Sequence, residues 1–202
     1  MPPLQTERLI VRALQRDDLD ACHALFKAID ATASSNWSAT AHDPSPTEAA
    51  SLERRRSWLW WAVDNARELA RLNQPPLGER AVVDRESGVL VGLVGFVPST
   101  VPLKQLPSFG ATPNAPHHLE LGMFWAVHPE RQGRGIASEA AAAMLAYAFD
   151  RLGMPRVVAT TENDNLASQA VMQRIGMTVE RNPYPNPAYF QSMGWIDRGV
   201  RP

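Results

Sequence analysis

From Arg8 to Leu14 apolar and polar positions alternate, with Leu9 and Val11 on one side and Arg8, Ile10 and Arg12 on the other. A period of two predicts a first strand. Asp17 or Asp18 can cap the helix that follows. In it Ala21, Cys22, Leu25, Phe26 and Ile29 recur at helical spacing. Residues 31–44 carry no period and read as a loop, with Trp37 its one large group. Ser45-Pro46-Thr47-Glu48 then opens a long helix, with Ser45 as N-cap, Pro46 in the first turn and Glu48 closing a capping box. This helix should run to about Leu72 and end before Pro75-Pro76. Trp58, Trp60 and Trp61 cannot share one helix face. One or two of them belong to the core and one to a surface or groove.

Arg80–Asp84 and Val89–Val97 read as two strands of a hairpin, turned by Glu86-Ser87-Gly88. Gly92 and Gly95 thin the second strand, as where another backbone or a ligand comes close. Residues 98–118 contain five prolines and no period. A loop of that length inside a domain is usually functional or mobile, so it reads as a lid. Leu119–Val127 is an apolar strand that breaks at His128-Pro129. A basic, glycine-bearing loop follows, Glu130 to Ala137, and then an alanine-rich helix from about Ser138 to Leu152, stopped by Gly153. Arg156–Thr161 is a strand, Asp164 or Asn165 caps a helix to Ile175, and Met177–Glu180 is another strand. After a Pro- and Tyr-rich loop at 182–190, Trp195–Val200 reads as a short last strand. This order predicts an α/β (α+β) fold: a mixed sheet of about six to seven strands with helices on both faces.

The chain of 202 residues suits one domain, 1–202, with a sizeable core. A net charge of -1 argues for neither a nucleic-acid nor a membrane-surface partner. One cysteine, Cys22, excludes an internal disulfide and a Cys-cluster zinc site, and its place on an apolar helix face makes it a core residue. His117 and His118 are adjacent, with no further ligand at metal spacing, so no metal is expected. No apolar run reaches spanning length and no signal peptide leads the chain, which predicts a soluble cytoplasmic protein.

The junction at 119–139 bears the clearest chemistry. A strand, a tight loop and a helix N-terminus aim several backbone N–H groups at one spot, where the helix dipole favours an anion. Gly133 and Gly135 let a phosphate approach the backbone, and Arg131 and Arg134 add charge. The lysine and following Ser/Thr of a Walker loop are absent, as is the third glycine of a dinucleotide site.

The wording Gln132-Gly133-Arg134-Gly135-Ile136-Ala137 fits the pattern Gln/Arg-x-x-Gly-x-Gly/Ala. It resembles the acyl-CoA-binding loop of the GNAT superfamily of N-acetyltransferases. Downstream, Asn165-Leu166-Ala167-Ser168 and Ile175-Gly176-Met177 resemble a second segment of that family. Leu4 to Arg12, followed by Asp17-Asp18, resembles the start of the branch that acetylates ribosomal-protein N-termini.

The resemblance implies acetyl transfer from acetyl-CoA to a primary amine, either a protein N-terminus or a small molecule. It implies that the strands flanking the loop helix splay apart around the pantetheine arm. Main-chain groups of Trp125, Ala126 and Val127 would pair with that arm, the N–H groups from Gly133 to Ser138 would hold the pyrophosphate, and Asn165 would contact the cofactor from the other side. The 31–74 region and the 98–118 loop would shape the acceptor site. A backbone N–H near Trp125 to Val127 would stabilise the oxyanion. A carboxylate must take the amine proton. Glu120, on the incoming strand, is the first candidate, its face depending on whether the strand is bulged. Glu162 is the second, two residues past Thr160, where some relatives keep a glutamate. The tyrosine that many members use to protonate the thiolate is Met172 here. Ser168, one turn from Asn165, takes that role by resemblance, with Tyr184 and Tyr189 as alternatives, and Tyr147 reads as structural. A non-catalytic acyl-CoA-binding or sensor module is the alternative function. A second subunit completing the edge at the last strand, in a homodimer, is a further expectation.

Overall fold

The computed structural model describes residues 1–32 and 47–199. Residues 33–46, with Trp37 and the expected helix start at Ser45-Pro46, lie outside the described residues, as does Val200.

The strands are β1 (Leu4–Gln5), β2 (Leu9–Ala13), β3 (Gly78–Asp84), β4 (Leu90–Val101), β5 (His118–Val127), β6 (Arg156–Thr161), β7 (Thr178–Arg181) and β8 (Ser192–Asp197). The helices are α1 (Leu19–Thr32), α2 (Glu48–Arg71), α3 (Ile136–Asp150) and α4 (Leu166–Arg174). The strands form one mixed sheet in the order β1-β2-β3-β4-β5-β6-β8-β7. The eighth strand, beyond the six or seven expected, is β1, whose two residues are too few to show a period. The chain divides into two compact units, Met1–Gly95 with Trp125–Ala143, and Phe96–Phe124 with Met144–Pro202.

In the first unit the alternation of β2 is realised: Leu9 and Val11 are buried while Ile10 and Arg12 are half-buried. Val11 pairs opposite Val82 of antiparallel β3. The apolar stripe of α1 buries Cys22, Leu25 and Phe26 in a core shared with Leu59 and Val63 of α2 and with Leu93 of β4. Each leucine, valine or phenylalanine of this set contributes about 1.5–3 kcal/mol by leaving water. Burial also pushes the Cys22 thiol up to about 12, so it stays protonated and unreactive. The three tryptophans divide as their spacing requires. Trp58 meets the edge of Phe26 at 5.3 Å, Trp60 is partly buried under the Arg16 guanidinium, and Trp61 is 58% exposed.

Of the expected caps, one is refined and one corrected. Asp18 closes the capping box of the 3-10 turn Arg16–Asp18, which runs directly into α1. The Asp18 carboxylate accepts the Gln15 N–H at 2.7 Å and holds Arg12 through two bonds of 2.7 and 2.8 Å, a strong, bidentate pairing. The cap of α2 is Thr47, whose hydroxyl accepts the Ala50 N–H at 3.2 Å. The expected loop at 31–44 also begins later, since α1 continues through Thr32.

The β3–β4 turn forms as expected: Gly88 has φ +69° and the Ser87 N–H donates to Asp84 Oδ1 at 2.8 Å. At Gly92 a Cβ would stand 2.4 Å from the Ala126 carbonyl oxygen, so close backbone approach requires glycine there.

In the second unit β5 runs parallel to β6, with Gly122 opposite Val158. Strand β8 lies between β6 and β7, antiparallel to both, with Trp195 opposite Val158 and Thr178. The last strand is therefore interior and β7 is outermost, which moves the expected edge. Residues 98–118 are not a free lid. β4 runs on to Val101, two 3-10 turns follow at Leu103–Gln105 and Pro107–Phe109, and Val101, Leu103 and Leu106 are buried with Phe190, Met193 and Trp195. Proline hides this from a periodic reading, because the segment is anchored by scattered apolar side chains rather than by a regular face.

Candidate functional site

In the first unit, β5 ends at Val127, and the chain turns through Pro129–Arg131, where His128 Nδ1 accepts the Glu130 N–H at 3.3 Å. The Gln132 side-chain amide reaches back to the Val127 carbonyl at 3.1 Å and pins the loop to the strand end. Gly133 and Gly135 have φ of +72° and +78°, a region that L side chains rarely occupy. Nothing lies within 4 Å of a Cβ built on Gly133, so that side of the loop is open. Helix α3 starts at Ile136, and the Glu139 N–H bonds the Gly135 carbonyl at 2.9 Å. The amides of Ile136, Ala137 and Ser138 precede that bond, and helix geometry leaves them without an intrahelical acceptor. The Ser138 hydroxyl is buried with no hydrogen-bond partner. Arg131 and Arg134 are exposed. Amide donors, an unpaired hydroxyl, an open glycine at 133 and cationic side chains are together a donor set that fits a phosphate.

Just upstream, Ala126 and Val127 are buried and Trp125 is half-buried. The His128 N–H continues the pairing with β4 by donating to the Val91 carbonyl at 2.9 Å.

One element of the loop escaped the sequence reading. Glu139 receives the Thr6 hydroxyl at 2.5 Å, the Arg8 main-chain N–H at 2.9 Å and the Arg8 Nε at 2.7 Å. Arg8 Nη1 also donates to the Arg134 carbonyl at 3.0 Å. Burial works to raise the Glu139 pKa, but the bonds from Thr6 and Arg8 outweigh it and hold the carboxyl below its ordinary value. The signal was present twice, in Thr6-Glu7-Arg8 at the N-terminus and in an acid directly after Ser138.

In the second unit the Glu120 side chain is 16% exposed. Its Oε1 lies 3.8 Å from Nη1 of Arg156, its neighbour across the parallel β5–β6 register. Arg156 in turn donates from Nε to Asp197 at 2.7 Å, and its guanidinium lies 5.0 Å over the Phe109 ring. Glu120 thus belongs to a chain of charges, Glu120–Arg156–Asp197, of which the sequence reading saw only the first member. Glu162 is half-buried and accepts the Thr161 hydroxyl at 3.3 Å, while Thr160 is exposed.

Asn165 caps α4. Its Oδ1 accepts the Ser168 N–H at 3.0 Å, which leaves its NH₂ group as the donor end. Ser168 is half-buried. Met172 is fully buried, and its sulfur would lie 2.9 Å from a Cβ on Gly194, so packing explains a methionine at that position. Both tail tyrosines engage the 98–118 segment. Tyr184 donates to the Ala111 carbonyl, and Tyr189 bonds the Thr100 carbonyl at 3.3 Å and His117 Nε2 at 2.8 Å.

Of the residues singled out in sequence, Trp125, Ala126, Val127 and Gln132 to Ser138 fall in the first unit, and Glu120, Asn165 and Ser168 in the second. Among the described residues no three His, Cys, Asp or Glu side chains are grouped as a metal site needs, and no helix is long and apolar enough to cross a membrane.

A family model described as an acetyltransferase (GNAT) domain matches residues 8–178. An uncharacterized N-acetyltransferase of Bacillus subtilis, YnaD, is 42% identical over 64 residues, which span 32% of this chain but only 36% of YnaD. Another from the same organism, YoaA, is 27% identical over 180 residues, 89% of this chain and 84% of YoaA. Among solved structures, the ribosomal-protein-S5-alanine acetyltransferase of Vibrio fischeri superposes with a TM-score of 0.65 over 99% of this chain and 98% of that one, at 16% identity, which is a likeness of fold alone.

Proposed function

The chain belongs to the GNAT acetyltransferase family, and from that premise we propose that it transfers an acetyl group from acetyl-CoA to a primary amine, the N-terminus of a protein or a small molecule. The observation that carries this reading is the loop 132–138: two glycines at positive φ lead into a helix whose first amides have no intrahelical acceptor. Gln132, Gly133, Arg134, Gly135, Ile136, Ala137 and Ser138 would hold the pyrophosphate, main-chain groups of Trp125, Ala126 and Val127 the pantetheine arm, and the NH₂ of Asn165 a further cofactor oxygen. Acetyl-CoA, when bound, supplies the acyl group already activated as a thioester.

The chain's own groups then have three tasks. A main-chain N–H near Trp125 to Val127 stabilises negative charge on the carbonyl oxygen. Glu120 takes the proton from the acceptor amine, directly or through a water, so that the amine attacks neutral. Arg156, held by Asp197, orients that carboxylate from the neighbouring strand. Ser168 hydrogen-bonds the departing sulfur.

One observation favours a second reading, an acyl-CoA-binding module without turnover: the position of the family's acid is a buried methionine, Met172. Thermal shift with coenzyme A, together with thiol release from acetyl-CoA over a panel of peptides and small amines, separates the two. Amine-dependent release establishes the transferase. A shift without release on any amine supports the module. No shift at all removes both.

A further inference from the structure

We propose that Arg8, just before β2, is a positioning residue for the phosphate loop: it neutralises Glu139 at the helix N-terminus and orients the Arg134–Gly135 peptide for the incoming phosphate. This inference rests on the acyl-CoA reading above.

Glu139 stands in the first turn of α3. A carboxylate there draws on the same helix field that a bound phosphate needs, and if free it would repel the phosphate. In the structure both of its oxygens are engaged, Oε1 by the Thr6 hydroxyl and the Arg8 main-chain N–H, and Oε2 by Nε and Nη2 of the Arg8 guanidinium, the latter at 2.6 Å. All of these donors come from one short stretch of the N-terminus, which thereby converts a local negative charge into a neutral pair.

The same guanidinium does a second thing. Its Nη1 holds the Arg134 carbonyl at 3.0 Å. A peptide unit is planar and trans, so a carbonyl held toward Arg8 makes the Gly135 N–H point the opposite way. Gly135, at φ +78°, then passes the chain into α3. The guanidinium lies against this glycine, with Nη2 3.4 Å from where a Cβ would stand. The Arg8 side chain is also 48% exposed, which leaves part of the cation facing solvent. Arginine is suited to this place because its fork serves two partners at once, a carboxylate and a carbonyl, where an ammonium would serve them as a point charge.

The test is a double-mutant cycle on coenzyme A affinity, measured by titration calorimetry for wild type, R8Q, E139Q and R8Q/E139Q. R8Q exposes the Glu139 charge and should weaken binding by about tenfold. E139Q alone should bind at least as tightly as wild type. The double variant has no charge left to shield but still lacks the hold on the Arg134 carbonyl, so it should recover to within about threefold of wild type while binding more weakly than E139Q. A double variant as weak as R8Q, or weaker, overturns the proposal, as does R8Q binding like wild type. Should thermal melting show that R8Q does not fold, the comparison with wild type decides: a folded double variant that binds about tenfold weaker than wild type, or E139Q binding more weakly than wild type, overturns the proposal. Failure of wild type to bind coenzyme A would be a failure of the acyl-CoA reading itself, visible before any variant is compared.

Discussion

Arg8 and Glu139, 131 positions apart, form an ion pair in which Nε donates to the carboxylate oxygen Oε2 at 2.7 Å and Nη2 lies 2.6 Å from the same oxygen. This contact ties the N-terminal segment to the first turn of α3 and so to the loop 132–138. It also makes the stability of that turn depend on pH. The Glu139 pKa is depressed below its ordinary 4.5, so its contribution is present above that value and is lost as the pH falls through the folded pKa. E139Q should therefore lose less stability than wild type as the pH falls from about 5 to about 3, a window that opens just above the ordinary glutamate value and closes well below it, as read from thermal melting at each pH. Parallel acid curves for the two proteins would show that Glu139 is not held as described.

Gly135→Val should abolish coenzyme A binding. A β-branched side chain at φ +78° is strained by about 1–2 kcal/mol, and its Cβ would meet the Arg8 guanidinium at 3.4 Å. Calorimetry checks affinity while circular dichroism checks folding. Retained affinity in a folded variant would remove the loop from the cofactor site.

Glu120→Gln should lower the rate by about 10²-fold or more and move the rate profile to higher pH, because only the fraction of amine already neutral can then attack. Coenzyme A affinity should be unchanged. A profile identical to that of wild type would leave Glu120 as a partner of Arg156 and nothing more.

Gly92→Ala should lower stability by about 1–3 kcal/mol, the usual cost of forcing an atom into a filled space. The new methyl would stand 2.4 Å from the Ala126 carbonyl oxygen, which is backbone and cannot rotate away. Denaturant unfolding measures the loss. A variant as stable as wild type would contradict the close approach of β4 and β5 at this point.

The parts of the molecule legible in advance were those built from neighbours in the chain. The stripe of α1, the alternation of β2 and the cap at Asn165 each follow from residues within a few positions of one another. The loop 132–138 is of the same kind, since positive φ at Gly133 and Gly135 and the open amides after them are set by a dozen contiguous residues. The family was legible for that reason, because its members share the wording of this loop.

What the tertiary structure alone decided is which distant residues meet. Period does not encode strand order, so the last strand, β8, looked like an edge and lies instead between β6 and β7. Residues 98–118 looked free because prolines break every period, yet Leu103 and Leu106 are buried against side chains more than eighty positions later, Phe190 among them. Glu120 looked like a lone carboxylate until the parallel register set Arg156 beside it. The acid at 139 looked like an ordinary first-turn glutamate until the N-terminus closed over it. Dihedral preference and helix dipole act over a few residues and can be read along a chain, whereas register and burial come from long-range packing.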